Sequence, residues 1–348
     1  MRLPAHASLA AAFVGLLGSS GASAASFDCA TAKKPMERAI CESPAVSKLD
    51  EEMAHSYQRA LHALSSAGAS ALKTSQRSWL RYANQRCFGN QRTESSRGAC
   101  LEWLLRERVG QLGQAGLKLG ALVLNRIDGF EAFPNPPHDD TGGNDGLVVH
   151  RAGYPQIEGA ITKAVADWNE RQAQRALSLL NPQITAGERN ETDLHNDYVI
   201  ACASAEVLSI RVTFSEYNHG AAHGLYSNGA DTFWLKPDLH PLTAADLFSQ
   251  ESGWETKLPA LFIQAYLADE RRGPRSLSEA AENTIREAAV QYGRWLLTPA
   301  GLQINFSAYE AGSYAGTPGP ITIPWSTLKP MLIRRTAPTC DYSFVDTR

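Results

Sequence analysis

Charge of one sign is scarce in this chain of 348 residues. Its 33 Lys and Arg stand against 36 Asp and Glu, a formal net charge of −3, which excludes the basic excess of a dedicated nucleic-acid binder. After residue 24 no apolar run approaches the ~20 residues of a bilayer-spanning helix, which excludes a membrane-anchored receptor. No C-x-x-C pair occurs and no histidine adjoins the first four cysteines, so a cysteine metal cluster is not expected. A G-x-S-x-G elbow for a serine nucleophile is missing too. Gly316-Thr-Pro-Gly-Pro320 is a turn and not a phosphate cradle, because its prolines lack N–H donors. What remains is 43% hydrophobic with 27 Gly and 18 Pro, a globular composition that excludes disorder, collagen and coiled coil. The length predicts two domains.

The N-terminus sets the compartment. Arg2, the apolar run Leu9–Leu17 and the small residues Ala22-Ser-Ala24 form the three parts of a secretory signal peptide, residues 1–24. A mature chain beginning near Ala25 is therefore expected in the periplasm or outside the cell, with no lipid anchor at Cys29. In that oxidising setting Cys29, Cys41, Cys87, Cys100, Cys202 and Cys340 read as disulfides. Many pairings are open to six cysteines. The short loops favour Cys29 with Cys41 and Cys87 with Cys100, which leaves Cys202 for Cys340. Charge is unevenly placed: residues 25–112 carry 13 Lys/Arg against 9 Asp/Glu, and residues 113–348 carry 19 against 27. A cationic partner would be steered towards the second part.

Residues 25–115 read as a three-helix module. Leu49, Met53, Tyr57, Ala60, Leu61 and Leu64 recur at helical spacing. Further helices run through Trp79-Leu80 to Cys87 and from about Ala99 to Leu112, after a short one at Lys33–Ile40. Phe27-Asp-Cys29, Glu37-Arg-Ala-Ile-Cys41, Leu49-Asp50, Tyr57, Gln76-Arg-Ser-Trp-Leu80, Arg86-Cys87, Cys100-Leu101 and Arg106-Glu-Arg108 together resemble the N-terminal module of the LprI-type lysozyme inhibitors. The resemblance covers about 85 residues and implies a secreted binding protein.

Residues 116–146 read as a linker or the start of the next domain, with 126–146 as loop. A helix is predicted over Ile157–Leu180, with Gln172 interrupting its apolar stripe. Leu208, Ile210, Val212 and Phe214 alternate with polar residues as a half-buried strand. Short strands are predicted at Leu147–His150, Tyr198–Ala203, Thr232–Leu235, Trp295–Leu297, Gln303–Phe306 and Ile321–Ile323, and helices at 253–271 and 278–292. The fold class expected is α+β: the disulfide-bridged helical module, then residues 147–348 as an α+β domain with a mainly antiparallel sheet and packed helices. Phe214-Ser-Glu-Tyr217, Gly220-Ala-Ala-His-Gly224, Phe233-Trp-Leu-Lys236, Leu242–Phe248, Gly301–Phe306, Tyr309-Glu310 and Ile321–Pro324 resemble the C-terminal domain of RsiV-type anti-sigma factors and some polysaccharide deacetylases. In the RsiV case that domain binds lysozyme. No transmembrane segment, sigma-binding segment or deacetylase domain accompanies it here, so neither signalling nor that activity is implied.

His219 and His223 have H-x-x-x-H spacing, but they sit in a Gly-rich stretch with no third ligand in view, which favours a turn over a metal site. Glu216, Asp231 and Glu310 show no spacing that pairs them for glycoside chemistry. The sequence thus predicts a non-enzymatic protein without cofactor or metal. Its expected partner is lysozyme or another cell-wall hydrolase, met by Glu216, Tyr217, His223, Tyr309 and Glu310. The alternative is a non-inhibitory envelope or peptidoglycan-binding protein, or an accessory of cell-wall polysaccharide modification.

Overall fold

The computed structural model describes residues 25–89, 94–134, 146–159, 162–180, 191–236, 238–268, 277–334 and 336–345, so the segment expected to be a signal peptide lies outside the described residues. A short helix, α1 (Pro35–Glu42), leads into three long ones: α2 (Pro44–Ala63), α3 (Ser66–Phe88) and α4 (Glu94–Gly113). Pro44 occupies the first turn of α2, where no N–H is required, and Ser43 Oγ caps it by accepting from Val46 N. Leu49, Met53 and Ala60 of α2 meet Leu72, Trp79 and Tyr82 of α3 and Leu101, Leu104 and Leu105 of α4 in one core. The Cys29–Cys41 and Cys87–Cys100 bridges hold both ends of this module.

A seven-stranded sheet follows, with strands in chain order: β1 (Leu117–Leu119), β2 (Leu122–Pro134), β3 (Leu147–Glu158), β4 (Thr192–Ala203), β5 (Val207–Asn218), β6 (Leu225–Trp234) and β7 (His240–Pro241). Every pairing is antiparallel except β3 with β4. A parallel pair needs a crossover, and helix α5 (Lys163–Leu180) lies between those strands in the chain. Gly120, at φ +64°, makes the tight turn from β1 to β2. Two expectations are corrected here. Residues 126–134 are strand and not loop, and the remainder of that loop, 135–145, lies outside the described residues. Ile157 lies in β3, which ends at Glu158, and α5 begins at Lys163, six residues later than expected. Within α5 the polar interruption, Gln172, is buried because its Nε2 donates to Asp231 Oδ2 of β6 at 3.3 Å.

The rest of the chain forms a second lobe. Helices α6 (Ala244–Leu247), α7 (Trp254–Leu267) and α8 (Glu279–Val290) precede a three-stranded antiparallel sheet of β8 (Leu296–Leu297), β9 (Gly301–Ile304) and β10 (Ile321–Pro324), closed by α9 (Trp325–Leu328). Phe248, Trp254 and Trp295 form its centre, with ring centroids 5.3–5.4 Å apart. Trp295 Nε1 donates to Ala289 O, the partner a buried indole requires. The lobe is fastened to the large sheet where Leu297 N donates to Ser209 Oγ and Thr232 Oγ1 to Trp295 O, both at 2.9 Å. Cys202 is bridged to Cys340, and Tyr342 N donates to Ala203 O, pinning the C-terminal segment to β4.

Candidate functional site

Cross-strand partners share a face, and this places the covering bodies. Ile127 of β2 and Ala152 and Tyr154 of β3 pack with Ala176 and Leu180 on the α5 side. Alternate positions face the other way: Phe130 stacks on Tyr82 of α3, with centroids 5.5 Å apart. Further along that same face, Val207 and Ser209 of β5 meet the second lobe. The helical module and the second lobe therefore cover opposite ends of one sheet face.

Between the module and the sheet lies a layer of buried charge. Arg108 of α4 donates through Nη1 to Asp128 Oδ2 at 2.7 Å and through Nε to Gln76 Oε1 at 3.0 Å. Arg126 reaches Asp128 Oδ1 at 2.7 Å and Asp197 Oδ1 at 2.5 Å. Arg108, Arg126 and Asp128 are each at most 5% exposed. Burial by itself would raise the Asp128 carboxyl, yet the two guanidiniums hold it below the usual carboxylate value. Burial pulls Arg108 down, whereas Arg126, flanked by Asp128 and Asp197, is raised despite its burial. Ion pairs this deep seldom gain much net stability, but they penalise the loss of one partner heavily.

The layer continues outward into a groove of about 430 Å³. Arg151 of β3 donates to Glu107 Oε2 at 2.7 Å, and its guanidinium lies 5.7 Å from the Trp103 ring centroid. His195, paired in register with Arg151, has its ring pushed down to about 4, by burial first and then by Arg151. It is therefore neutral at physiological pH. Tyr217 and Tyr226 continue this face, through the pairings Asp193–Tyr217, His195–Ser215 and Ser215–Tyr226. Tyr314 of the second lobe closes the far side, 6.0 Å from Tyr226 at 71°. The groove is thus the gap between the two coverings.

The residues named from the sequence gather near it in different ways. Glu216 and Tyr217 border the groove. His223 stacks on Tyr314 with centroids 4.0 Å apart, and its Nε2 lies 3.0 Å from Tyr309 Oη, so both brace Tyr314 from behind. Tyr309 is 51% exposed and holds φ at +65°, a left-handed backbone that costs a non-glycine residue roughly 1 kcal/mol. Its N–H is satisfied by Thr317 Oγ1. Glu310 is turned inward, paired with Arg294 and accepting from Ser307 N. His219 faces Asp193, with Nε2 3.1 Å from Oδ1, away from the His223 ring stack. No cluster of three or more potential metal ligands occurs among the described residues, and none of their helices is long and apolar enough to cross a membrane. Trp103 and Arg151 carry no motif that would have marked them. The exposure of Trp103, 53%, appears only in three dimensions.

Residues 29–112 match the family described as lysozyme inhibitor LprI. Within this LprI-like module the motif residues Gln76 and Trp79 are buried, at 8% and 1% exposure, and Arg108 is fully buried. They build the module and dock it on the sheet, so any partner must be met by other residues. No curated protein matches the chain. Among the solved structures that are distantly similar are two from the DUF3298 family. The one from Bacteroides fragilis has 19% identity and a TM-score of 0.40, covering 62% of this chain and 95% of that one. The one from Pseudomonas aeruginosa has 12% identity and a TM-score of 0.40, covering 61% and 94%.

Proposed function

We propose that the protein acts outside the cytoplasm as a non-catalytic binder of lysozyme or a related cell-wall hydrolase, protecting peptidoglycan by occluding the hydrolase cleft. The match of residues 29–112 to the LprI lysozyme-inhibitor family carries this reading. Three disulfides, which persist only in oxidising compartments in most organisms, support the location. Residues 113–348, with 19 Lys/Arg against 27 Asp/Glu, suit a cationic partner, and the likeness of this part to the RsiV-type domain points the same way. Tyr309, exposed and held rigidly, is the kind of aromatic anchor that interfaces favour.

The test is surface binding of the whole chain to chicken-type and goose-type lysozymes over a series of salt concentrations. Exposed charges are screened beyond about 8 Å at physiological ionic strength. The association rate should therefore fall with added salt while the dissociation rate changes less. Glu216→Lys should slow association, and Tyr309→Ala should speed dissociation. Absence of binding to either lysozyme at low salt would remove the inhibitor reading.

A further inference from the structure

The groove between the LprI-like module and the second lobe has a lining that suits a particular ligand chemistry. Its charges are mixed in sign: Arg86 and Arg151 line it with Asp193, while Glu216 at its border belongs to the other face of β5 by the alternation of the strand. Arg151 is already paired with Glu107, and Asp193 accepts from Val149 N at 2.8 Å and faces His219. The His195 ring, with its depressed pKa, adds no charge near neutrality. A strongly charged ligand, whether phosphate or a cationic protein surface, finds no complementary field there.

Size points the same way. About 430 Å³ lies within the range of pockets that hold small molecules or short oligomers. A stable protein interface instead covers roughly 800 Å² on each partner and is seldom confined to one cleft.

The remaining lining is aromatic, and its rings are mounted firmly. Trp103 is 53% exposed, with the Arg151 guanidinium over one side of its ring. Tyr314 is braced by the His223 ring at 4.0 Å and meets Tyr226 edge-on. Flat rings at the rim present apolar faces, while tyrosine hydroxyls and partly exposed carboxylates supply hydrogen bonds at their edges. That combination matches a pyranose, whose C–H face is apolar and whose rim is hydroxylated. We infer that this groove is a binding site for a short, uncharged oligosaccharide segment, with Trp103 and Tyr314 as its stacking platforms. The inference does not depend on the lysozyme reading, since the glycan would be held whether or not a hydrolase is bound.

The test titrates the whole chain with chitotriose and with cellotriose, which share the β-1,4 linkage and differ in the acetamido group. Binding is followed by calorimetry and by tryptophan emission. Saturable binding of either trisaccharide, weakened about tenfold or more in Trp103→Ala and largely rescued in Trp103→Phe, supports the site. Because Trp103 is exposed, circular dichroism of the variants should match the parent. Absence of binding by the intact chain at millimolar trisaccharide overturns the inference, as does binding that Trp103→Ala leaves unchanged. Lysozyme binding that disappears in Trp103→Ala while neither trisaccharide binds also overturns it, and assigns the groove to a protein partner.

Discussion

Gly153 faces the charge layer from β3, and a Cβ built there would stand 2.6 Å from Arg126 Nη2 and 2.7 Å from Asp197 Oδ1. Both atoms end flexible side chains, which on a surface would simply swing away. Here each is committed: Arg126 also holds Asp128, and Asp197 Oδ1 accepts from Tyr198 N. Gly153→Ala should therefore destabilise the fold by about 1–3 kcal/mol, as overpacking does, seen as a lower urea midpoint at unchanged m-value. Asp128→Ala acts on the same layer by subtraction. It leaves Arg108 and Arg126 facing each other in the interior with one carboxylate fewer, which should cost about 3–5 kcal/mol. The exposed Arg106–Glu102 pair on α4 is the control. Glu102→Ala should change stability by no more than about 0.5 kcal/mol, and a similar loss in both variants would show the buried layer to be energetically ordinary.

Elements whose two sides differ in polarity were legible in the sequence, and elements whose charged groups are buried were not. The helical spacing of α2 emerges because water lies on one side of it, and the alternation of β5 because one face is apolar and the other polar, although Ser209 on that polar face is buried under the second lobe. In β2, Arg126 and Asp128 read as loop residues, yet both are buried. The partners of these two, including Ser75, Arg108 and Asp197, lie far away in the chain, where no local pattern reveals them. Pro155 misleads for a related reason. A proline is expected to break a strand, but β3 runs on through Pro155, which pairs with Arg126 of β2, while β4 pairs with β3 only from His150 to Ala152. Of the groove's lining, Tyr217 and Glu216 are among the residues named from the sequence, whereas Trp103 of α4 is not. His195 on β4 allows a prediction at this scale. Its folded pKa, about 4, lies below the unfolded value near 6.5. The unfolded chain therefore binds the proton first, and stability is full above pH 6.5 and declines as the pH falls towards 4. The full effect would be at most about 3 kcal/mol. Asp197, Arg126 and Asp128 face the ring together with Arg151. Glu107, raised chiefly by burial, works in the opposite sense over the carboxylate range. Comparing urea midpoints at pH 7 and pH 4.5 isolates the histidine: the drop should be smaller in His195→Gln than in the parent. An equal drop would place the acid sensitivity elsewhere.

Across the whole molecule, the two coverings of the sheet face do not behave as appendages. The helical module shares the Arg108–Asp128 pair and the Tyr82–Phe130 stack with β2, and the Glu107–Arg151 pair with β3. The second lobe shares Ser209, Thr232 and the Cys202–Cys340 bridge with β4, β5 and β6. Cutting the chain near residue 112 would expose Asp128, Arg126 and Phe130 together, an apolar and ionic surface with no other cover, which is why partner binding is best measured on the intact chain. The same contacts predict one cooperative unfolding unit in spite of the compositional boundary near residue 115. Far-UV circular dichroism weights the four helices of the module, while hydrogen exchange can follow the amides of β9 in the second lobe. Both should report the same urea midpoint, and Asp128→Ala should move them down together. If the module melted first in the parent and left β9 protected, the charge layer would be a contact between two independent domains. The groove between them would then open and close with their relative motion instead of being fixed by the sheet beneath.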